Sequence, residues 1–419
     1  MDLTLLRTYL ILGGQALIPI IIGSFQSLKT PETTLARRRK TAKSLGEEPE
    51  DEPFDEVLSW ADSLLFPVLG SGALLSLYLI IRYFGTEWLN MALGIYFSLA
   101  GMWAVHSTFS SITEYTFRIL GHKSQIYHIR VSAGLKQIFH LPISGPSLLF
   151  IPISIILSAL YIPLGRPYWL SNILALCLSS STLAVLKLDS FLTAFVLLGV
   201  LLLYDIFWVF ATPVMVTVAK SIDAPIKILS PRPSSSSSAE FAMLGLGDIV
   251  VPGLVIALCL RYDLNRYASS RPTEDVDVRS RFGKSYFYMG VGSYVVGLAI
   301  TIWVMQMSGK AQPALLYLSP ACSLGPIFLS LIRGEFKTLW SYTEITEPKP
   351  DDDNIDSTSK TIESSKSNVD VPEQSKGETT ETETLTTPIV SKEEVEDDSW
   401  MEVSTPDTRS KKKSKGKKK

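Results

Sequence analysis

The stretch FAMLGLGDIVVPG, residues 241–253, carries one aspartate, Asp248, with apolar and small residues on both sides for about two helical turns. A carboxylate at the centre of a bilayer costs roughly 2.5–3.5 kcal/mol on insertion scales. A membrane helix that keeps one there needs a reason, and so does the pair of glycines just ahead of it. The answer depends on whether the chain crosses a membrane and whether Asp248 has a partner.

The 419 residues are 46% hydrophobic and 19% charged, against about 25% charged in an ordinary soluble domain. Up to residue 340, apolar runs recur that are long enough to cross roughly 30 Å of hydrocarbon at 1.5 Å per residue. The expected fold is all-α and polytopic. Its roughly nine transmembrane helices fall at about 5–25, 63–83, 87–106, 145–164, 168–186, 190–212, 240–261, 285–307 and 313–333. The first apolar run, Tyr9–Gly23, has no clear small-x-small cleavage site after it, so it reads as a retained span rather than a signal peptide.

The net charge of −2 hides an asymmetry: residues 344–408 carry 19 Asp or Glu against five Lys, and residues 409–419 carry seven Lys and one Arg. The stretch 341–419 is too polar to bury enough apolar surface to offset its ordering entropy. It is expected to be a disordered tail behind a membrane-embedded domain, 1–340, with a core at about 165–335. The serine-rich run at 231–238 reads as a flexible connection. Basic residues cluster in three loops, at 35–43, 118–136 and 261–284, all on one side of a nine-span arrangement. Positive loops stay cytosolic, which predicts a lumenal N-terminus and a cytosolic C-terminus. Lys417 and Lys415, third and fifth from the end, match a di-lysine retrieval pattern for the endoplasmic reticulum. Cys177, Cys259 and Cys322 all lie in apolar runs, and the four histidines have no metal-ligand spacing. No disulfide, metal site, cofactor or nucleic-acid partner is expected.

Most ionisable groups of the spans lie near their ends, where Arg261 and other long basic side chains can snorkel. Asp205, in LLLYDIFWVF, and Asp248 sit well inside. The two spans run antiparallel, and counting residues from the same face at 1.5 Å each puts both carboxylates at about 10–12 Å depth, able to face each other. Two carboxylates a few ångströms apart in low dielectric share one proton and titrate as a unit. Such a pair can activate water against a peptide carbonyl by general acid–base work. Buried aspartates also serve as proton relays, ion sites or packing residues. Gly245 and Gly247 let another backbone approach the turn before Asp248 and loosen a helix there by roughly 1 kcal/mol each relative to Ala. Pro313, in AQPALLYLSP, suits a helix's first turn or an extended entry.

Tyr204-Asp205, Gly245-Leu246-Gly247-Asp248 and Gln312-Pro313-Ala314-Leu315 resemble the YD, GxGD and PAL motifs of the presenilin-type intramembrane aspartyl proteases. The three occur in order on three separate spans. Within that family the chain is most similar to the signal peptide peptidase branch, by its orientation, the glutamine before PAL, the short connection between the aspartate spans and the di-lysine-like ending. The resemblance implies a presenilin-like fold in which Asp205 and Asp248 are catalytic. Tyr204, Gly245, Leu246, Gly247, Gln312, Pro313, Ala314 and Leu315 would then shape the site and the substrate edge. It implies membrane-spanning peptide substrates in the lipid bilayer, namely remnant signal peptides and type II or tail-anchored segments, in the endoplasmic reticulum. Partners in membrane-protein degradation and a homo-oligomer stay open. So do two other functions: non-proteolytic capture of membrane helices, and proton-coupled transport, although no internal repeat of the transporter kind is present.

Overall fold

The computed structural model describes residues 3–45, 57–120, 126–133, 136–212, 214–232, 240–271, 274–278, 280–308 and 312–344. Helix α1 runs Leu3–Gln26 and α2 Glu32–Leu45. After strand β1 (Val57–Leu58) come α3 (Trp60–Phe84) and α4 (Thr86–Ile119). An antiparallel hairpin of β2 (Ile126–Ala133) and β3 (Lys136–Ser144) leads into α5 (Gly145–Ala159) and α6 (Tyr168–Val185). Then follow β4 (Lys187–Leu188), α7 (Phe191–Ile206), a π-helical turn (Phe207–Ala211) and α8 (Val214–Ser221). A second hairpin pairs β5 (Lys227–Arg232) with β6 (Glu240–Gly245) and precedes α9 (Gly247–Ser270). α10 (Ser285–Ser308), α11 (Leu315–Ile332) and α12 (Phe336–Trp340) complete the described chain.

A helix occupies most of each expected span, and seven among the described residues are long and apolar enough to cross a membrane: α1, α3, α4, α6, α7 with its π turn, α10 and α11. The other two expected spans differ in instructive ways. α5 stops at Ala159 rather than 164, where Pro163 follows and Gly165 and Arg166 take positive φ of 73° and 56°, a conformation no α-helix contains. Span seven starts at Gly247 rather than 240, because residues 240–245 pair as a strand with β5. α4 continues to Ile119, so His106 lies inside the helix instead of ending it, with Nε2 3.0 Å from Ser147 Oγ. The connection 213–239 is built rather than loose where it is described: α8 occupies 214–221, and Pro231 and Arg232 belong to β5. Residues 233–239 lie outside the described residues, as do 345–419 with Lys415 and Lys417.

α9 is the axis of the core. Every residue from Pro252 to Leu264 is buried, with α1, α6, α7, α10 and α11 around it. Apolar burial on all sides is the mark of a core helix. Small residues let the neighbours approach closely: a Cβ at Gly23 would lie 2.6 Å from Leu183 Cβ, and one at Gly253 2.9 Å from Leu183 Cδ2. At the hairpin end, Asn90 ties α4 to α8, donating to Ser221 O at 3.1 Å and accepting from Asp223 N at 3.0 Å. Lys227 Nζ caps α8, donating to Ala219 O and Ile222 O at 3.0 Å.

The opposite end of α9 is polar and locked. Arg261 does not snorkel: it is 4% exposed and its Nε donates to both Glu344 oxygens at 2.9 and 3.0 Å. Its other nitrogens reach Ser27 Oγ and Leu188 O, both at 3.3 Å. Asp263 Oδ2 accepts from Phe287 N at 3.0 Å, and Glu335 takes Arg266 and the Tyr286 hydroxyl. These contacts hold the segment after α11 against α9, α10 and the short β1–β4 pair. Breaking a buried ion pair leaves an uncompensated charge and costs about 3–5 kcal/mol. Glu344→Ala is therefore expected to lower the thermal unfolding midpoint of the detergent-solubilised protein, and Glu344→Gln, which keeps a hydrogen-bond acceptor, to lower it less.

Candidate active site

Asp205 is the penultimate residue of α7, placed by that helix's apolar packing and 5% exposed. Beyond it the helix widens into the π turn. Such turns are uncommon and frequent at functional sites. The turn is anchored on α3 by Trp208 Nε1, which donates to Ser71 Oγ at 3.2 Å. Tyr204 lies on α3 where Gly70 leaves room, its hydroxyl 3.5 Å from where a Cβ at Gly70 would sit. Pro67, Val68 and Ser71 of α3, with Leu203, Tyr204 and Phe207, line an apolar groove of about 310 Å³ on the Tyr204 side of α7.

Asp248 reaches the same place by a different route from the helix expected. Residues 240–245 run as β6, and Leu246 N donates to Ile226 O at 3.0 Å to extend the pairing by one step. The chain turns into α9 at Leu246, so Asp248 is in the first helical turn, not eight residues into a helix. The first N–H groups of a helix lack intrahelical partners and form the positive end of its dipole. Asp248 is partly buried there and interacts electrostatically with Asp205. Gly245 flanks its carboxylate: a Cβ at 245 would lie 3.6 Å from Asp248 Oδ2. Gly247 faces open space, and Leu246 packs on the main core.

The third element is the start of α11. Pro313 is buried, Ala314 is the N-cap and Leu315 the first helical residue. The Leu315 backbone N–H, one of the free donors at this helix end, faces the Asp205 carboxylate. Gln312 does not join the pair; its Nε2 donates to Ser308 Oγ at 3.3 Å. The structure thus gathers Asp205, Asp248, Tyr204, Gly245 and Leu315, with Pro313 and Ala314 as the scaffold for Leu315.

One residue of this site escaped the sequence reading. Tyr294 of α10 is fully buried and interacts with Asp248, and its hydroxyl has no protein hydrogen-bond partner among the described residues. A tyrosine in an apolar helix looks like any aromatic core residue, so no sequence signal marks it. Among the described residues no group of three or more His, Cys, Asp or Glu is arranged to hold a metal ion.

With this geometry in view, the comparisons with known proteins are specific. Residues 50–346 match the family model described as signal peptide peptidase. The chain is 34% identical over 343 residues to the signal peptide peptidase of Homo sapiens, covering 80% of this chain and 83% of that one. It is 33% identical over 306 residues to a probable intramembrane protease of Schizosaccharomyces pombe, covering 73% and 90%. A solved structure of a presenilin family intramembrane aspartate protease matches 76% of this chain and 98% of its own at a TM-score of 0.39 and 16% identity. The chain belongs to the signal peptide peptidase family. It is an intramembrane aspartic endopeptidase, a multi-pass membrane protein acting on membrane-embedded peptides.

Two substitutions probe the site. Gly245→Ala places its methyl at ordinary contact distance and is expected to keep most activity, whereas Gly245→Val covers the Asp248 carboxylate and is expected to lower kcat/KM on the order of a hundredfold. Tyr294→Phe removes a hydroxyl without a protein partner, so thermal stability is expected to stay level or rise by about 1 kcal/mol. Turnover of a membrane peptide is expected to fall about tenfold, as for loss of one modest electrostatic interaction with Asp248.

Proposed function

We propose that Asp205 and Asp248 are the catalytic pair and that the substrate is a membrane-spanning segment held extended along β6. The observation that carries this reading is the convergence of three chain segments on one point: the end of α7, the start of α9 and the start of α11, the last turning its Leu315 N–H toward Asp205. The pair shares one proton. The ionised aspartate takes a proton from water as the water oxygen attacks the peptide carbonyl carbon. The protonated partner gives its proton to the carbonyl oxygen, forming a tetrahedral diol. Collapse breaks the C–N bond, and a proton passes to the leaving amine, so that one water is consumed for each acid and amine released. Leu315 keeps Asp205 oriented through these steps, and Tyr204 with the α3–α7 groove receives the side chains next to the cut.

The groove suits a helix arriving from the lipid. Of the seven spans, α3 has the smallest buried share, 6% of its apolar window, so it can yield without disturbing the core around α9. Past the groove, a substrate must unwind before its peptide bond is exposed, which favours helices with weak or polar residues. β6 offers an edge for the unwound strand, since extended peptides add readily to exposed strand edges.

On this reading the protein sits in the endoplasmic reticulum, with the start of α1 lumenal and the end of the chain cytosolic. It acts there on remnant signal peptides and on type II or tail-anchored segments, within membrane-protein degradation. Support comes from the relative named signal peptide peptidase and from the basic loops after α1 and α9. Those loops meet on one side, through Arg37 and Asp275 at 3.8 Å and Thr30 and Asp277 at 3.5 Å. Residues 1–340 would form the membrane domain, 341–419 the cytosolic tail, and Lys415 and Lys417 the retrieval signal.

The test compares purified wild type with Asp205→Asn and Asp248→Asn on a labelled signal-peptide substrate in liposomes. Each variant is expected to lose roughly a thousandfold or more in rate, and wild type to cut inside the apolar segment with a bell-shaped pH dependence of kcat/KM. Equal cutting by all three would rule out the pair. Binding without cutting, by wild type and variants alike, would make the protein a helix-capturing factor.

A further inference from the structure

The hairpin that leads to Asp248 has two long edges, and the structure closes one of them. On β5, Leu229 N donates to Asn172 Oδ1 at 2.8 Å, and Leu229 O accepts from Asn172 Nδ2 at 2.7 Å. Asn172 projects from the first turns of α6 and is 6% exposed. Its amide satisfies both backbone groups of one strand residue, as a neighbouring strand would. Two residues on, Pro231 has no N–H to offer, and its carbonyl accepts from Thr8 Oγ1 of α1 at 3.4 Å.

The register then fixes the other edge. Leu229 is paired with Met243, and because Leu229 spends both backbone groups on Asn172, theirs is a non-hydrogen-bonded pair. The N–H and C=O of Met243 therefore point away from β5. Met243 is 49% exposed, and among the described residues no backbone hydrogen bond from elsewhere reaches it. Met243 stands five residues before Asp248, on the strand that runs into the first turn of α9.

We propose that Asn172 is a positioning residue for cleavage: by closing the outer edge of β5 it leaves β6 as the hairpin's open edge and fixes the register in which a substrate strand meets Asp248. It touches no reacting atom and acts through the hairpin. The inference rests on the proteolytic reading given above. A strand whose partner slips moves in steps of two residues if its side chains are to keep their faces, so a loosened hairpin presents alternate peptide bonds to the pair.

The experiment maps the cut bonds by mass spectrometry of the products released from a synthetic signal peptide by the full-length protein in liposomes. Wild type is expected to cut at one dominant bond. Asn172→Ala is expected to spread cleavage to bonds two residues away and to lower kcat about tenfold with a smaller change in KM. Asn172→Gln keeps both the acceptor for Leu229 N and the donor for Leu229 O on a stem one methylene longer, and is expected to fall between the two. It also carries the test if the alanine variant does not fold, as judged by its unfolding midpoint. A folded variant that cuts the wild-type bond at the wild-type rate overturns the role of Asn172 and leaves the protease reading untouched. A wild type that cuts nothing overturns the protease reading itself.

Discussion

Hydrocarbon offers no water to a backbone N–H or C=O, so non-helical chain at membrane depth survives only where protein or a polar cavity meets its polar groups. The approach to Asp248 is non-helical for a full strand, and much around it follows from that constraint. Asn172 and Thr8 meet the outer side of β5, Ile226 meets Leu246 as the strand ends, and α1 and α6 pack against β5. What is left is the outer side of β6. An edge left without a partner beside two carboxylates is expensive to maintain unless something arrives to fill it, and an unwound peptide brings the N–H and C=O groups it lacks.

The same constraint shapes the pair itself. A carboxylate in the middle of a regular helix would be surrounded by side chains alone. Asp248 instead sits where α9 begins, and Asp205 faces the place where α11 begins. Two helix starts therefore bring free backbone N–H groups toward two acids. Neither acid needs a basic side chain, which would neutralise the pair and remove the proton-sharing proposed for it above.

The spans and the two interior acids were legible because a charge within an apolar run of helix length is a local signal. That Asp205 and Asp248 would meet was also legible, from antiparallel spans and equal depth, although the depth argument assumed a helix where β6 runs. The strand was hidden because FAMLG is as apolar as the helix after it, and its partner lies beyond a serine-rich run that reads as loose chain. Asn172, Tyr294 and Glu344 were hidden for a different reason. Each takes its meaning from a residue at least 46 positions away, Leu229, Asp248 and Arg261 respectively, and one sequence read alone carries no record of such pairs. Arg261 was misread on the same ground: at a span end the default is snorkelling, and only the fold brings Glu344 back to it.

The lock at the far end of α9 also puts the core helix in line with any pull on the chain. The described chain ends at Glu344, and that residue is fastened to Arg261, on the helix that begins beside Asp248. The thirteen helical steps from Asp248 to Arg261 span about 20 Å of stiff helix. Tension applied to the chain beyond Glu344 is carried first by this ion pair and then along the axis of α9. A pull strong enough to slide that helix would be felt at the carboxylates, so a tether on that segment and the acid pair share one mechanical strut.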